Sequence, residues 1–514
     1  MTTMTASPTT TNAAYEELIH AVKEANLLSS SAALLGWDQE TLMPAGGLEH
    51  RSRQLAQIAR MVHGMKTSAR MGELLQQCEA DRRLVSEPTS VAAVNVREIR
   101  REYDRNTKLP ASLVEELTRI SSVARAEWAT ARKESNFRKF QPWLEKIVEL
   151  LRQKAACYGW PKSGEAWDAL ADGYEPGCTA RQVEELFKPL RVRLVKLVSD
   201  LMASKRGPVN AFNEIKLPIA DQEKFVKFVA QKIGFDFNRG RLDISTHPFC
   251  SGTHCNDIRM TTRFHENNVN DALGSTMHEC GHGIYEQSLL EEHIGTPMGD
   301  AVSLGIHESQ SRLWENQVGR SQQFWKWLFP KLREHFGAAV SGLSQDQVYG
   351  GANIVKPDLI RVEADEATYN LHIMVRFEIE RRLIGGDLAV ADLPGVWNAR
   401  YKEYLGIDVP DDRRGCLQDI HWSLASMGYF PTYTLGNLYA AQFFEKSLVD
   451  IPDLHAQFEK GEFSALKNWL TKNIHSQGMR YHAADLCKVV TGKAPSADAL
   501  MRHLEGKLRP LYGV

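Results

Sequence analysis

His278-Glu279-Cys280-Gly281-His282 sets two imidazoles four positions apart, with a carboxylate directly after the first. On a helix this spacing performs metal-assisted hydrolysis. Residues four apart sit about 40° apart on a helix surface and one turn along it, so both rings can close on one cation. The carboxylate one step on falls beside the cation, where Glu279 can take a proton from a water that the ion activates. Such a site needs a third protein ligand and an open position. His307-Glu308-Ser309-Gln310 lies on the next predicted helix, which starts near Ala301 after the Gly295–Asp300 turn. Glu308 is the expected third ligand. His307 points about 100° away from it, so only one of the two can face the ion.

The helix that carries the pair can be tested by angle. At roughly 100° per residue, Leu273, Met277, Cys280 and Ile284 fall on one stripe about 60° wide, opposite His278, Glu279, His282 and Glu286. Cys280 therefore reads as a packed thiol and not a ligand. Gly274, Gly281 and Gly283 would each cost on the order of 1 kcal/mol relative to Ala inside a helix, which predicts close approach of another backbone or a ligand. The competing reading is the solvated face of an ordinary amphipathic helix, and the glycines weigh against it.

The surrounding elements read as mostly helical. Val183, Leu186, Leu190, Leu194, Leu197 and Leu201 show the spacing plainly. The breaks are short, such as Gly159-Trp160-Pro161 and Gly385-Gly386. One stretch departs: Leu242, Ile244, Ile258, Met260, Thr262 and Phe264 recur at period two, so a small sheet or hairpin is expected just before the helix with the histidine pair. Trp37, Trp160 and Trp167 read as core. The expected fold class is all-α with that small β element, in one helical domain from residue 13 to 514. Residues 1–12, rich in Thr, Ser and Ala, read as a mobile tail and not as a signal peptide.

Composition narrows the partners. Apolar residues at 43% and charged ones at 25% mark a globular protein. Sixty-two basic against 64 acidic residues, a net charge of −2, give no footprint for nucleic acid or an anionic membrane. No apolar run is long enough to span a bilayer. Eight scattered cysteines without a CxxC pair suit a reducing compartment. The expectation is a cytoplasmic protein that acts on a small molecule or peptide.

Six ordered motifs resemble the carboxypeptidase Taq family of metallopeptidases: His247-Pro248-Phe249, Asp257-Ile258-Arg259-Met260-Thr261, the HExxH, His307-Glu308-Ser309-Gln310, Ile360-Arg361-Val362-Glu363-Ala364-Asp365 and Gly415-Cys416-Leu417-Gln418-Asp419-Ile420-His421-Trp422. Leu35-Gly36-Trp37-Asp38-Gln39-Glu40-Thr41 adds a seventh point of likeness near the start. The resemblance covers nearly the whole chain. It implies a two-lobed helical fold with a deep cleft, similar to neurolysin and angiotensin-converting enzyme. It also implies one Zn²⁺ or Co²⁺ per chain, a homodimer, and stepwise removal of amino acids from peptide carboxyl termini with broad side-chain tolerance.

A carboxypeptidase must hold a free carboxylate, for which an arginine fork is the best side chain. The family pattern places Arg361 in the substrate groove, with Arg259 and Arg414 behind it as candidates. His247, His421, Tyr429 and Tyr433 are candidate donors to the substrate carboxylate or the developing oxyanion, although each alone is more often a satisfied core residue. Asp257–Thr261 could pair with a substrate backbone by strand addition, or be purely architectural. Two other readings stand beside the carboxypeptidase: a metallo-oligopeptidase or endopeptidase of the same fold, and a non-catalytic helical scaffold.

Overall fold

The computed structural model describes residues 12–210 and 215–514. Most of the expected tail, residues 1–11, lies outside the described residues. Asn12 does not, and its side chain accepts from the backbone N–H of Ala14 and Tyr15, capping the first helix, Ala13–Thr41. Among the described residues the chain is predominantly helical with one three-stranded sheet. It buries two apolar cores. Helices Ala13–Thr41, Ala69–Ala80 and Val91–Thr107 enclose a small one around Leu18, Leu75 and Ile99. The large one draws on residues from Leu113 to Tyr512. Polar contacts tie the two together, among them Arg105 to Asp172 at 2.7 Å and the Met298 N–H to Asn95 at 3.1 Å.

Trp37 and Trp167 are buried as expected, at 4% and 1% exposure, but Trp160 is 43% exposed. Gly159, at φ 75°, turns the chain away from the core at the end of helix Phe137–Tyr158, so the Trp160 ring follows the turn outward.

The period-two stretch forms β1 (Gly240–Ile244), β2 (Cys250–His254) and β3 (Asp257–Thr262), in the order β1-β3-β2. β3 lies in the middle, parallel to β1 and antiparallel to β2. Both of its edges are therefore filled, which rules out strand addition along Asp257–Thr261, since a new strand needs unpaired backbone groups, and leaves the architectural alternative. The sheet instead supports the histidine-pair helix. Thr262 of β3 bonds Ser275 on that helix at 2.7 Å, and Thr261 takes the Phe249 N–H at 2.9 Å, fixing the loop that carries His247.

Candidate active site

The helix Val269–Gln287 begins on a side-chain cap from Asn268, with Asp271 in its first turn complementing the helix dipole. Leu273, Met277, Cys280 and Ile284 are buried along one side, as the angular pattern requires. The next helix runs Leu304–Arg312, three residues later than the expected start, because Ser303 accepts from the Ile306 N–H and caps it there. Beyond Arg312 the winding widens to a π-helical stretch, Leu313–Val318.

These two helices touch through backbone. A Cβ on Gly281 would lie 2.4 Å from the Gln310 carbonyl and 2.5 Å from Ser311 Cα, and one on Gly283 would meet Phe235 at 2.7 Å. Gly274 departs from the expectation, since nothing lies within 4 Å of its Cβ position. A Cβ on Gly436, from the helix Pro431–Asp450, would meet Glu308 at 2.6 Å on the opposite flank. Gly281→Ala should therefore push the two ligand-bearing helices apart. The expected result is a loss of roughly 1–3 kcal/mol, as for overpacking, together with weaker metal retention. Calorimetry and metal analysis after dialysis read both, and unchanged values would refute the close-approach account.

One atom each from His278, His282 and Glu308 lie within 4.8 Å of one another. Glu308 Oε2 stands 3.7 Å from His278 Nε2 and 3.5 Å from His282 Nε2. Ligands about 2.1 Å from a tetrahedral ion sit about 3.4 Å apart, so this donor set fits a divalent cation with little movement. His278 Nδ1 meets Glu315 at 2.8 Å, an outer carboxylate that orients the ring. His307 lies behind His282: the two Nδ1 atoms are 2.5 Å apart, and His307 Nε2 is 2.7 Å from Glu286. Arg312 donates to Glu308 at 2.7 Å and to Glu315 at 3.2 Å.

Electrostatics suit the three candidate ligands to a cation. Burial pushes His282 down to about 3, with the neighbouring His307 adding to the effect, so its ring is neutral. Burial would also lower His278, but Glu308 and Glu315 outweigh it and raise the ring overall. Burial alone would raise Glu308; Arg312 and the two imidazoles overcome it and hold the carboxylate well below its usual range. Glu279 is buried beside the three and is pushed up to about 7, chiefly by burial, with His278 opposing and Glu308 assisting. That places it near the value at which a group both accepts and returns a proton at neutral pH.

A second polar cluster adjoins the first through one ring. The Arg312 guanidinium lies 4.4 Å over Tyr369, whose hydroxyl accepts from Arg361 at 2.9 Å. Arg361 is buried and binds Asp419 at 2.8 Å, while Arg376, fully buried, binds the other oxygen of the same carboxylate. Tyr433 and Phe430 flank Arg361. His421 Nε2 is 3.4 Å from the Tyr433 hydroxyl, and its buried Nδ1 has no hydrogen-bond partner among the described residues. Burial lowers His421 to about 4, with Arg361 and Arg376 helping against Asp419, so the ring is a neutral donor. Tyr429 packs against both, 5.4 Å from the His421 ring and 5.3 Å from Tyr433.

The structure thus brings Arg361, His421, Tyr429 and Tyr433 together and sets three other candidates elsewhere. Arg259 pairs with Asp257 at 2.9 Å and covers Trp37, which Arg241 covers as well. Arg414 is half exposed and held by Asp411 of its own turn. His247 lies exposed in the loop between β1 and β2, its carbonyl accepting from Ser245. Sequence reasoning assigned no role to Glu315, Arg312, Tyr369, Asp419 or Arg376. A signal existed for the first two, because Glu308, Arg312 and Glu315 fall on one helical face.

Glu175 is a further buried carboxylate, at the start of the helix that carries Glu308, where it accepts from the Gly305 N–H at 2.9 Å. Burial pushes it up to about 7. A carboxyl raised on folding binds its proton more tightly in the folded chain, so its contribution is favourable below the unfolded value of about 4.5 and is lost as pH climbs through 7, by up to about 3 kcal/mol. Glu175→Gln removes that slope. Its melting temperature should lie near wild type at pH 5 and move upward relative to wild type by pH 8; a constant gap would refute the assignment.

A helix-borne His-Glu-His set with a glutamate from the next helix beside it is a candidate metallopeptidase centre. The chain belongs to the carboxypeptidase Taq (M32) metallopeptidase family, which matches residues 17–508. It is 44% identical over 511 residues to thermostable carboxypeptidase 1 of Thermus thermophilus, covering 98% of this chain and 100% of that protein. Carboxypeptidase 1 of Bacillus subtilis is 37% identical over 497 residues, covering 97% and 98%. The crystal structure of an M32 carboxypeptidase from Deinococcus radiodurans superposes with a TM-score of 0.94 at 38% identity, covering 98% of this chain and 100% of that one. The protein is accordingly a metal-dependent carboxypeptidase, a peptide hydrolase.

Proposed function

We propose that this carboxypeptidase, working as one helical unit from residue 13 onward, releases single amino acids from free peptide carboxyl termini with broad tolerance of side chain. The observation that carries the reading is the charge balance at Asp419. Two buried guanidiniums share one carboxylate there, leaving a net positive charge beside the candidate metal ligands. A buried excess of one charge calls for an anionic partner, and a peptide's terminal carboxylate is one. Of the two guanidiniums on Asp419, Arg361 is linked toward the candidate ligands through Tyr369 and Arg312, and His421, Tyr429 and Tyr433 complete that end of the site.

His278, His282 and Glu308 would hold the ion. Zn²⁺ or Co²⁺ there would supply a Lewis acid for the scissile carbonyl and its attacking water. Glu279 receives the water's proton and hands it to the departing amine, as its raised affinity for protons allows. Neutral His421 and the tyrosine hydroxyls donate to substrate oxygens without carrying charge into the site.

All eight cysteines are free, which supports a reducing, cytoplasmic setting. The near balance of charge supports peptides, and not nucleic acid or membrane, as partners. The homodimer rests on family resemblance alone.

Incubating metal-loaded protein with an unblocked peptide and following masses should give a ladder that loses single residues from the carboxyl end. A chelator should abolish it. Cleavage inside an amidated peptide at a comparable rate would favour the oligopeptidase reading and overturn this one, and turnover surviving exhaustive chelation would end the metal mechanism.

A further inference from the structure

Glu380 is fully buried and receives three N–H groups: Trp422 Nε1 at 2.9 Å on one oxygen, and the Gly428 N–H at 2.9 Å and Trp167 Nε1 at 3.3 Å on the other. No ion pair of Glu380 is present among the described residues, and burial pushes the group up to about 7. A carboxylate kept in such surroundings costs stability that an apolar side chain of similar size would not. Its position says what it is kept for.

Trp422 and Gly428 belong to the segment between Asp419 and Tyr433, which carries Asp419, His421, Tyr429 and Tyr433. That segment is conformationally strained. Ala425 stands at φ 56°, and Gly428, at φ 95°, packs so closely on the Ala171 backbone that a Cβ would meet it at 2.8 Å. Left-handed backbone at a non-glycine residue persists only where the surroundings hold it. One helix, Tyr369–Gly385, does the holding at both ends. Arg376 grips Asp419, and Glu380, one turn further along the same face, grips Trp422 and Gly428.

We propose that Glu380 is a positioning residue for substrate recognition, fixing the strained Asp419–Tyr433 segment so that His421, Tyr429 and Tyr433 meet the peptide terminus in register with Arg361. The inference rests on the reading of Arg361 as the carboxylate fork.

Glu380→Gln tests it in the full-length, metal-loaded enzyme. Gln keeps the shape but turns an amide N–H₂ toward one of the three donors, leaving a buried group unpaired, worth about 10-fold or more in an equilibrium. The expected result is a KM for free-ended peptides raised about 10-fold or more, kcat within about 3-fold of wild type, unchanged metal content, and a smaller preference for free over amidated ends. Trp422→Phe removes one donor only and should raise KM in the same direction. The double variant should be no worse than Glu380→Gln alone, since the two act through one contact.

A purely structural role would lower the melting temperature and leave KM per active molecule untouched, and that result would overturn the proposal. So would additive effects in the double variant. If Glu380→Gln does not fold, Trp422→Phe alone decides: a raised KM supports the proposal and an unchanged one overturns it. Arg361→Met separates the two readings. Selective loss on free ends without a KM shift in Glu380→Gln rejects Glu380 alone, whereas equal loss on both kinds of end rejects the Arg361 reading itself.

Discussion

Glu279→Gln should retain its metal and lose about 10²- to 10⁴-fold in kcat, the range that a general base contributes. Glutamine reproduces the shape and the single-oxygen acceptor but cannot take a proton. The three candidate ligand atoms belong to His278, His282 and Glu308, so metal content should not change. Turnover of an unblocked peptide and metal analysis on the same preparation make the comparison. Near wild-type kcat would remove Glu279 from the mechanism, and loss of metal would mean that its effect runs through the ligands.

Arg361→Met should cost roughly 10²- to 10³-fold in kcat/KM on peptides with a free carboxyl terminus and much less on the same peptides amidated. A charge-assisted bond contributes about 1.5–3 kcal/mol, and a fork makes two. Methionine matches only the aliphatic stem of arginine, so the guanidinium contacts with the Tyr369, Phe430 and Tyr433 rings are lost along with the donors. Arg376 remains to neutralise Asp419. Arg361→Lys should recover only part of the loss, since an ammonium restores charge but not the planar pair of donors. An equal decline on free and amidated peptides would take Arg361 out of carboxylate recognition.

The sequence legible at short range was legible for a physical reason. Helical period alone set His278 and His282 on one face, put Cys280 on the apolar stripe and marked the next helix as the source of Glu308. Glycine at 281 announced a backbone neighbour, which the structure identifies as Gln310 and Ser311. What periodicity lacks is the identity of a partner. Glu315 shares a face with Glu308, yet its contact with His278 follows π-helical winding over Leu313–Val318, which no local pattern announces. β3 showed its alternation but not that both edges would be filled. Arg259, Arg361 and Arg414 are alike as letters. Only long-range folding gives one to Trp37, another to a buried aspartate and the third to a surface turn. Trp160 misled through its bulk, because the turn at Gly159 decides where the ring points.

Gly281 and Gly436 flank the helix that bears Glu308, one bringing a neighbour's backbone against it and the other admitting the Glu308 stem itself. At the Gly281 joint the contacts are backbone, with no side chain between to absorb a displacement by changing rotamer, and at the Gly436 joint the one side chain is that of Glu308 itself. The three helices Val269–Gln287, Leu304–Arg312 and Pro431–Asp450 are thus bolted together, and any movement that admits or releases a peptide must carry them as a single block while the hinge lies elsewhere. If His278, His282 and Glu308 hold the ion, adjustment to ions of different radius falls to the few bonds beyond their Cα atoms.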